Sequence, residues 1–308
     1  MKVHYGVENI EIKCPIVTIG SFDGVHLGHA CVIQHLKEKA SSIDGESVII
    51  SFEPHPREVL YPREQKIGIL TTLEEKITIL EKYGVDHLII LKFTLEFAQQ
   101  SYNDFVKKIL IDKLKIKGLV VGYDHRFGKD RAGNFENLQE LANEYGFFLE
   151  KEVVFEEDDV NVSSTKIRNA LAVGDITTVN RFLGYPYSIT GEVVYGHHLG
   201  HKIGFRQQIF KFDERKLLPA IGVYAVKVII EQEIFNGMLN IGIRPTVSND
   251  GQVSCEVYIF DFNRDLYGKT ITINFIDRIR GERKFNDIEE LRAQLQKDKG
   301  KILKLLKS

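Results

Sequence analysis

Two hydrophobic periods divide this chain. Over residues 1–183, short apolar runs alternate with longer stretches in which apolar positions recur at helical spacing. Ile16 to Ile19 is β-branched and mostly apolar, as a buried parallel strand requires, and Ala30 to Ala40 follows with Val32, Ile33 and Leu36 on one helical face. Further strands are expected at Ser47 to Phe52, His87 to Phe93 and Gly118 to Tyr123. Helices are expected at Thr71 to Tyr83, with Thr72 and Glu75 as a capping box, at Leu95 to Leu114, and from near Thr165. Such alternation predicts a doubly wound parallel sheet. Beyond the Gly- and Pro-containing Arg181 to Tyr187 the period changes. Ser188 to Tyr195, Gly222 to Ile230, Met238 to Ile243, Ser254 to Phe262 and Thr270 to Ile276 read as strands of a small antiparallel barrel or sandwich, closed by a helix from Asp287 to Leu295. Two domains are expected, 1–183 and 184–308.

Composition adds limits. A chain of 308 residues with 43% hydrophobic and 27% charged residues is globular, and a net charge of −2 gives no electrostatic case for nucleic acid or membrane. No apolar leader opens the sequence and no apolar run reaches about 18 residues, so a cytoplasmic address is expected. Cys14, Cys31 and Cys255 are odd in number and widely spaced, as in reduced, buried thiols. Self-association stays open. The lysines of Lys297 to Lys307 read as a helix end complementing its dipole.

Candidate chemistry sits at the ends of the expected strands. After Ile19 come Gly20, Phe22, Asp23, Gly24, His26, Gly28 and His29, a glycine-rich turn entering a helix. There, free backbone N–H groups and the positive helix end attract phosphate, and two histidines three apart can donate to phosphoryl oxygens. The turn is neither a P-loop nor a GxGxxG fingerprint, and no cysteine pair completes a zinc site. His55, between two prolines, ends the second strand on the same rim. Asp124, Arg126, Phe127, Gly128 and Lys129 crowd the end of another strand. In Ser163-Ser164-Thr165-Lys166-Ile167-Arg168, two cations enter a helix's first turn, an electrostatic misfit unless an anion binds.

GSFDGVHLGH resembles the nucleotidyltransferase signature of bacterial bifunctional riboflavin kinase/FMN adenylyltransferases, the FAD synthetases. The EPHP, GYDHRFG and SSTKIR segments are similar to that family's blocks in order, although His125 stands where the family usually has Phe. The resemblance implies that FMN attacks ATP to give FAD and pyrophosphate. ATP would meet Gly20, Phe22, Asp23, Gly24, His26, Gly28, His29, Ser163, Ser164, Thr165 and Arg168. Flavin would meet His55, Asp124, Arg126, Phe127 and Gly128, with Mg²⁺ bridging ATP oxygens. The second half resembles the riboflavin kinase module through GEVVYG, NIGIRPTV, CEVYIFDFNRDLYG and IRGERKF. Glu256 takes the place of the catalytic glutamate, and Gly200, Gly204, Asn240, Arg244, Asp265, Arg280 and Glu282 fall in matching segments. One departure stands out. Where the family has Pro-Thr-Ala-Asn, with Thr and Asn holding Mg²⁺, this chain has Arg206-Gln207-Gln208-Ile209, and His201 replaces a common Arg. Impaired kinase activity beside intact adenylylation is therefore expected. A monofunctional adenylyltransferase with a degenerate flavin-binding domain and a non-enzymatic flavin sensor stay open as alternatives.

Overall fold

A computed structural model describes residues 1–61, 68–122, 128–129, 133–152, 156–157, 160–194, 207–243 and 253–306. It divides into two compact units, Met1–Ser164 and Thr165–Ser308.

The first unit runs β1 (Lys2–Tyr5), β2 (Ile16–Ile19), α1 (Leu27–Ser42), β3 (Ser47–Glu53), α2 (Pro56–Leu60), α3 (Leu73–Lys82), β4 (His87–Lys92), α4 (Leu95–Ala98) and α5 (Tyr102–Phe105). A π-helix (Val106–Lys113), β5 (Gly118–Val121), α6 (Phe135–Tyr145), β6 (Phe148–Lys151) and the two-residue strands β7 (Glu156–Glu157) and β8 (Val160–Asn161) follow. Six strands form one sheet in the order β1-β4-β3-β2-β5-β6, all parallel, with Ile16 to Ile19 paired to Ser47 to Ile50. The β-branched runs are buried on both faces. Val17, Ile19, Val48 and Ile50 pack with Val106, Leu110 and Leu138, while Ile16 and Ile49 turn to the other side against Ile33, Leu36 and Leu80. Chain order reverses beside β2, whose neighbours are β3 and β5, and ligands of such sheets bind outside the strand ends at that switch point.

The expected continuous helix from Leu95 to Leu114 is broken. Thr94 and Ser101 each accept a backbone N–H as caps, starting α4 and α5 separately before the π-helix. Between 71 and 83 the expectation holds, with Thr72 and Glu75 in a reciprocal capping box. Helix α1 starts earlier than its apolar pattern, with His26 as its cap.

In the second unit, α7 (Ser164–Val173, begun in the first unit) and α8 (Ile176–Leu183) precede the barrel strands β9 (Ser188–Val194), β10 (Gln207–Phe212), β11 (Gly222–Ile230), β12 (Glu233–Ile243), β13 (Val253–Ile259) and β14 (Thr270–Arg280). These close an antiparallel barrel in the order β10-β13-β12-β11-β14-β9. Asn180 of α8 donates to Phe275 O and accepts from Tyr187 N, and Leu171 O accepts from Ala220 N. Residues 165–183 thus pack with the barrel, although the sequence groups them with the first domain. Helix α9 (Ile288–Leu305), capped by Asp287, runs past the expected end at Leu295 and takes in most of the lysine-rich tail. Leu295 and Ile302 pack on Met238 and Phe260 on the barrel's outside. Asp298, fully buried, accepts from Arg280 Nε at 2.8 Å and from Gln294 Nε2 at 2.8 Å.

Candidate functional site

Past Ile19 the chain leaves β2 through a turn whose geometry matters at few positions. Phe22 and Val25 hold positive φ of 47° and 33°, and Gly24 has φ 83°. Gly20 lets the Phe22 ring close in, since a Cβ there would meet the ring at 3.2 Å. Gly28 matters for the same reason. Its missing Cβ would lie 3.2 Å from the His26 ring and 3.5 Å from Val162 O.

His26 accepts the backbone N–H of His29 on Nδ1, so in the neutral ring its proton sits on Nε2. The two imidazoles stack, centroids 3.7 Å apart and planes 16° off parallel, and the Phe22 ring lies tilted against His29 with centroids 4.9 Å apart. His29 Nδ1 is shut off from solvent and has no hydrogen-bond partner among the described residues. Burial, then the His26 and Lys76 charges, push the His29 imidazole well below its usual value. His29 is therefore held neutral, stacked on His26 at the N-terminus of α1, beside the switch point.

Asp23 is 1% exposed, and its Oδ1 accepts from Leu70 N at 2.9 Å, Thr71 N at 3.1 Å and Thr71 Oγ1 at 3.4 Å. Its carboxylate latches the turn to the start of α3. Gly24 N donates to Thr71 Oγ1 at 3.1 Å and Ser164 Oγ to Asp23 O at 2.9 Å, fixing the turn from two further sides. Thr165 and Lys166 are exposed in the first turn of α7, and Ser163 and Arg168 are half-buried. His55 caps α2, accepting from Arg57 N while Glu58 closes the capping box, at the same sheet edge as His26 because β2 and β3 run parallel. Gly128, at φ 75°, has no room for a Cβ, which would lie 2.8 Å from Tyr102 N. Asp124, Arg126 and Phe127 lie outside the described residues.

Two groups that sequence reasoning missed support this turn. Lys76 Nζ, 4% exposed by residue, donates to Ser51 Oγ at 3.1 Å, and Ser51 Oγ donates to Ser21 O at 3.1 Å. The available signal was a lysine on the apolar stripe of α3, one turn before Leu80.

In the barrel, strand pairing sets three positions in a row. Asn240 of β12 lies opposite Glu256 of β13, which lies opposite Ile209 of β10. Because Cys255 and Val257 point into the barrel, Glu256 faces outward and is half-exposed. Gly242 brings in Glu282. A Cβ there would meet Glu282 Oε1 at 3.1 Å and Asn240 Nδ2 at 3.2 Å. Asp265 is exposed and accepts from Tyr267 N, whereas Arg280 is engaged by Asp298. Gly200, Gly204, Arg244 and the Gln207 side chain lie outside the described residues.

Family models match both halves, FAD synthetase over residues 9–166 and riboflavin kinase over 183–306. A Haemophilus influenzae protein named bifunctional riboflavin kinase/FMN adenylyltransferase is 40% identical, over 92% of this chain and 91% of its own. A Bacillus subtilis protein of the same name is 37% identical over 98% and 95%. A solved structure described as a macrolide-efflux protein from Streptococcus pneumoniae shares 29% identity and a TM-score of 0.88 over 97% of both chains. Among the described residues no helix is long and apolar enough to cross a membrane. With both modules matched in order along nearly its whole length, the chain belongs to the bifunctional riboflavin kinase/FMN adenylyltransferase family.

Proposed function

We propose that residues 1–183 transfer AMP from ATP to FMN, giving FAD and pyrophosphate, and that residues 184–308 carry the riboflavin kinase module. ATP, FMN and riboflavin are the family's substrates. The observation that carries the adenylyltransferase reading is the stacked His26–His29 pair at the N-terminus of α1. His26 Nε2–H and the first-turn amides are the donors for ATP phosphates, and charge that develops on the α-phosphoryl oxygens as FMN attacks is stabilised there. Rate comes from positioning and electrostatics, with no covalent protein intermediate. Ser163, Ser164, Thr165 and Arg168 are assigned to the triphosphate, and His55, Asp124, Arg126, Phe127 and Gly128 to the flavin.

In the barrel, Glu256 is the general base for the ribityl hydroxyl, flanked by Asn240 and by Glu282 near Gly242. Mg²⁺ would enter with ATP. At the position where the family places its metal-holding Asn, Ile209 offers no oxygen and sits opposite Glu256, so this donor set does not fit the usual ion site. That mismatch supports the reading that FMN adenylylation outruns riboflavin phosphorylation.

Purified protein with ATP and Mg²⁺, given either riboflavin or FMN and resolved by chromatography, tests both parts. FAD formed from FMN, with little FMN formed from riboflavin, supports the proposal. Absence of FAD from FMN defeats the first half, and kinase turnover matching adenylylation defeats the second.

A further inference from the structure

The turn between β2 and α1 keeps a bulky side chain in a backbone conformation that favours glycine. Phe22 has φ 47° and is buried, and its ring lies tilted against the His29 imidazole with centroids 4.9 Å apart. A residue of this kind persists at positive φ only where its surroundings hold it. The φ of Phe22 follows the plane of the Ser21–Phe22 peptide, because turning that plane over rotates ψ of Ser21 and φ of Phe22 together. Whatever grips the Ser21 carbonyl therefore fixes the Phe22 backbone.

The grip comes from beneath. Ser51, near the end of β3 and fully buried, donates its hydroxyl to Ser21 O at 3.1 Å. A hydroxyl has one proton and rotates it toward whichever acceptor is in reach. Here Lys76 Nζ, buried in the first turn of α3, donates to Ser51 Oγ at 3.1 Å. An ammonium offers donors and no acceptor, so the Ser51 proton is directed away from it and onto the carbonyl. Hydrogen bonds arranged in series also polarise one another. Gly20, where a Cβ would lie 3.2 Å from the Phe22 ring, leaves the space that the ring fills. Hydrogen bonds and ring contact thus run from α3 through β3 and the turn to His29. An apolar pair in place of Ser51 and Lys76 would need no desolvation of polar groups, so the fold alone does not call for them.

We propose that Ser51 and Lys76 are positioning residues for adenylyl transfer, a hydrogen-bonded relay that locks the Ser21–Phe22 peptide and thereby seats the Phe22 ring against His29. The inference rests on the adenylyltransferase assignment above. An imidazole held in place meets the charge that develops at the phosphoryl group without reorganising, and a small misplacement costs turnover more than it costs ATP binding.

The test compares wild type, Lys76→Met and the double variant Ser51→Ala with Lys76→Met, all full length and with ring-labelled histidine. His29→Gln assigns the His29 signals, and Phe22→Leu marks where they fall once the Phe22 ring is gone. Replacing both polar partners together leaves neither of them unpaired in the interior. In the double variant the His29 signals move at least about half way to their Phe22→Leu positions, kcat for FAD formation from FMN falls about tenfold, and the KM for ATP stays within about twofold. Lys76→Met keeps the Ser51 donor but frees its proton, and moves signals and kcat the same way by less. Unmoved signals in the folded double variant overturn the proposal even where activity or melting temperature falls, because that pattern marks a pair that only supports the fold. Moved signals with wild-type kcat overturn it as well. Should the double variant fail to fold, Lys76→Met decides by the same two readouts. Failure of the wild-type protein to make FAD from FMN would instead defeat the functional assignment, and the His29 signals would still report whether the relay seats Phe22.

Discussion

Replacing Asp23 separates two accounts of the most acidic position in the turn. If its carboxylate mainly faced the nucleotide, Asp23→Ala would cost activity and leave the fold alone. In the structure that carboxylate is 1% exposed and its Oδ1 takes two backbone N–H groups at 2.9 and 3.1 Å, with a weaker hydroxyl at 3.4 Å. A hydrogen bond to a charged acceptor contributes about 1.5–3 kcal/mol, so losing the two good ones costs about 3–6 kcal/mol. The nearby Lys76 cation also loses a favourable charge. Asp23→Asn keeps one carbonyl acceptor and should lose about half as much. Amide hydrogen exchange reads the effect locally. A local loss of about 3 kcal/mol speeds exchange at Leu70 and Thr71 roughly a hundredfold where those amides open locally. Denaturant unfolding followed by circular dichroism gives the global counterpart. Wild-type exchange at both amides in Asp23→Ala, with an unchanged midpoint, would refute the latch and return Asp23 to the ligand.

Three further outcomes are expected. Gln207→Thr combined with Ile209→Asn should raise FMN production from riboflavin at least about tenfold over the parent by restoring two oxygen ligands; a folded double variant with no gain would break the link between this loop and kinase output. Asp298→Ala leaves Arg280 without its buried partner and should cost about 3 kcal/mol in the second unit, read by denaturant unfolding, whereas Arg280→Met with Asp298→Leu should recover much of that loss. His29 lies below its ordinary value of 6.5 in the folded chain, so as pH falls below 6.5 the unfolded chain binds the extra proton first. Its contribution to stability is therefore full above that value and declines with acidification. His29→Gln should flatten part of that decline in unfolding curves taken from pH 7.5 to 5.5, and an identical slope in the variant would contradict the assignment.

What the sequence disclosed depended on whether a residue's surroundings were local. The strand, turn and helix from Ile16 onward were legible because burial on both faces demands an unbroken β-branched run and the cap follows at once. Thr72 and Glu75 were legible because a capping box is read within four residues. The break at Ser101 was hidden, since apolar residues recur all along Leu95 to Leu114 and only the Thr94 and Ser101 caps reveal two helix starts. Length was misread in α9, where Leu295 and Ile302 find the barrel seven residues apart across a lysine-rich face. The structural partners of Asp23, Leu70 and Thr71, were hidden because they lie far along the chain, and Lys76 went unnoticed because a buried charge cannot be told from a surface one by spacing alone.

The two candidate sites are tied to their folds in opposite ways, which bears on why only one has lost expected residues. In the barrel, Cys255, Val257 and Ile259 face the interior, while Glu256 alternates outward between Asn240 and Ile209. An outward position can exchange Asn for Ile with little consequence for the core, because the ladder bonds are made by the backbone whatever the side chain. Chemistry there is separable from stability. Around His26 the reverse holds. Asp23 joins the turn to α3, Ser164 Oγ ties it to the start of α7, and Lys76 reaches Ser51 beneath it. Most substitutions in that group leave a buried donor, acceptor or charge unpaired, so loss of function would come with loss of the unit. The comparison of Asp23→Ala with Ile209→Asn is therefore a test of this separation. The first should move stability and activity together, and the second should move kinase turnover alone.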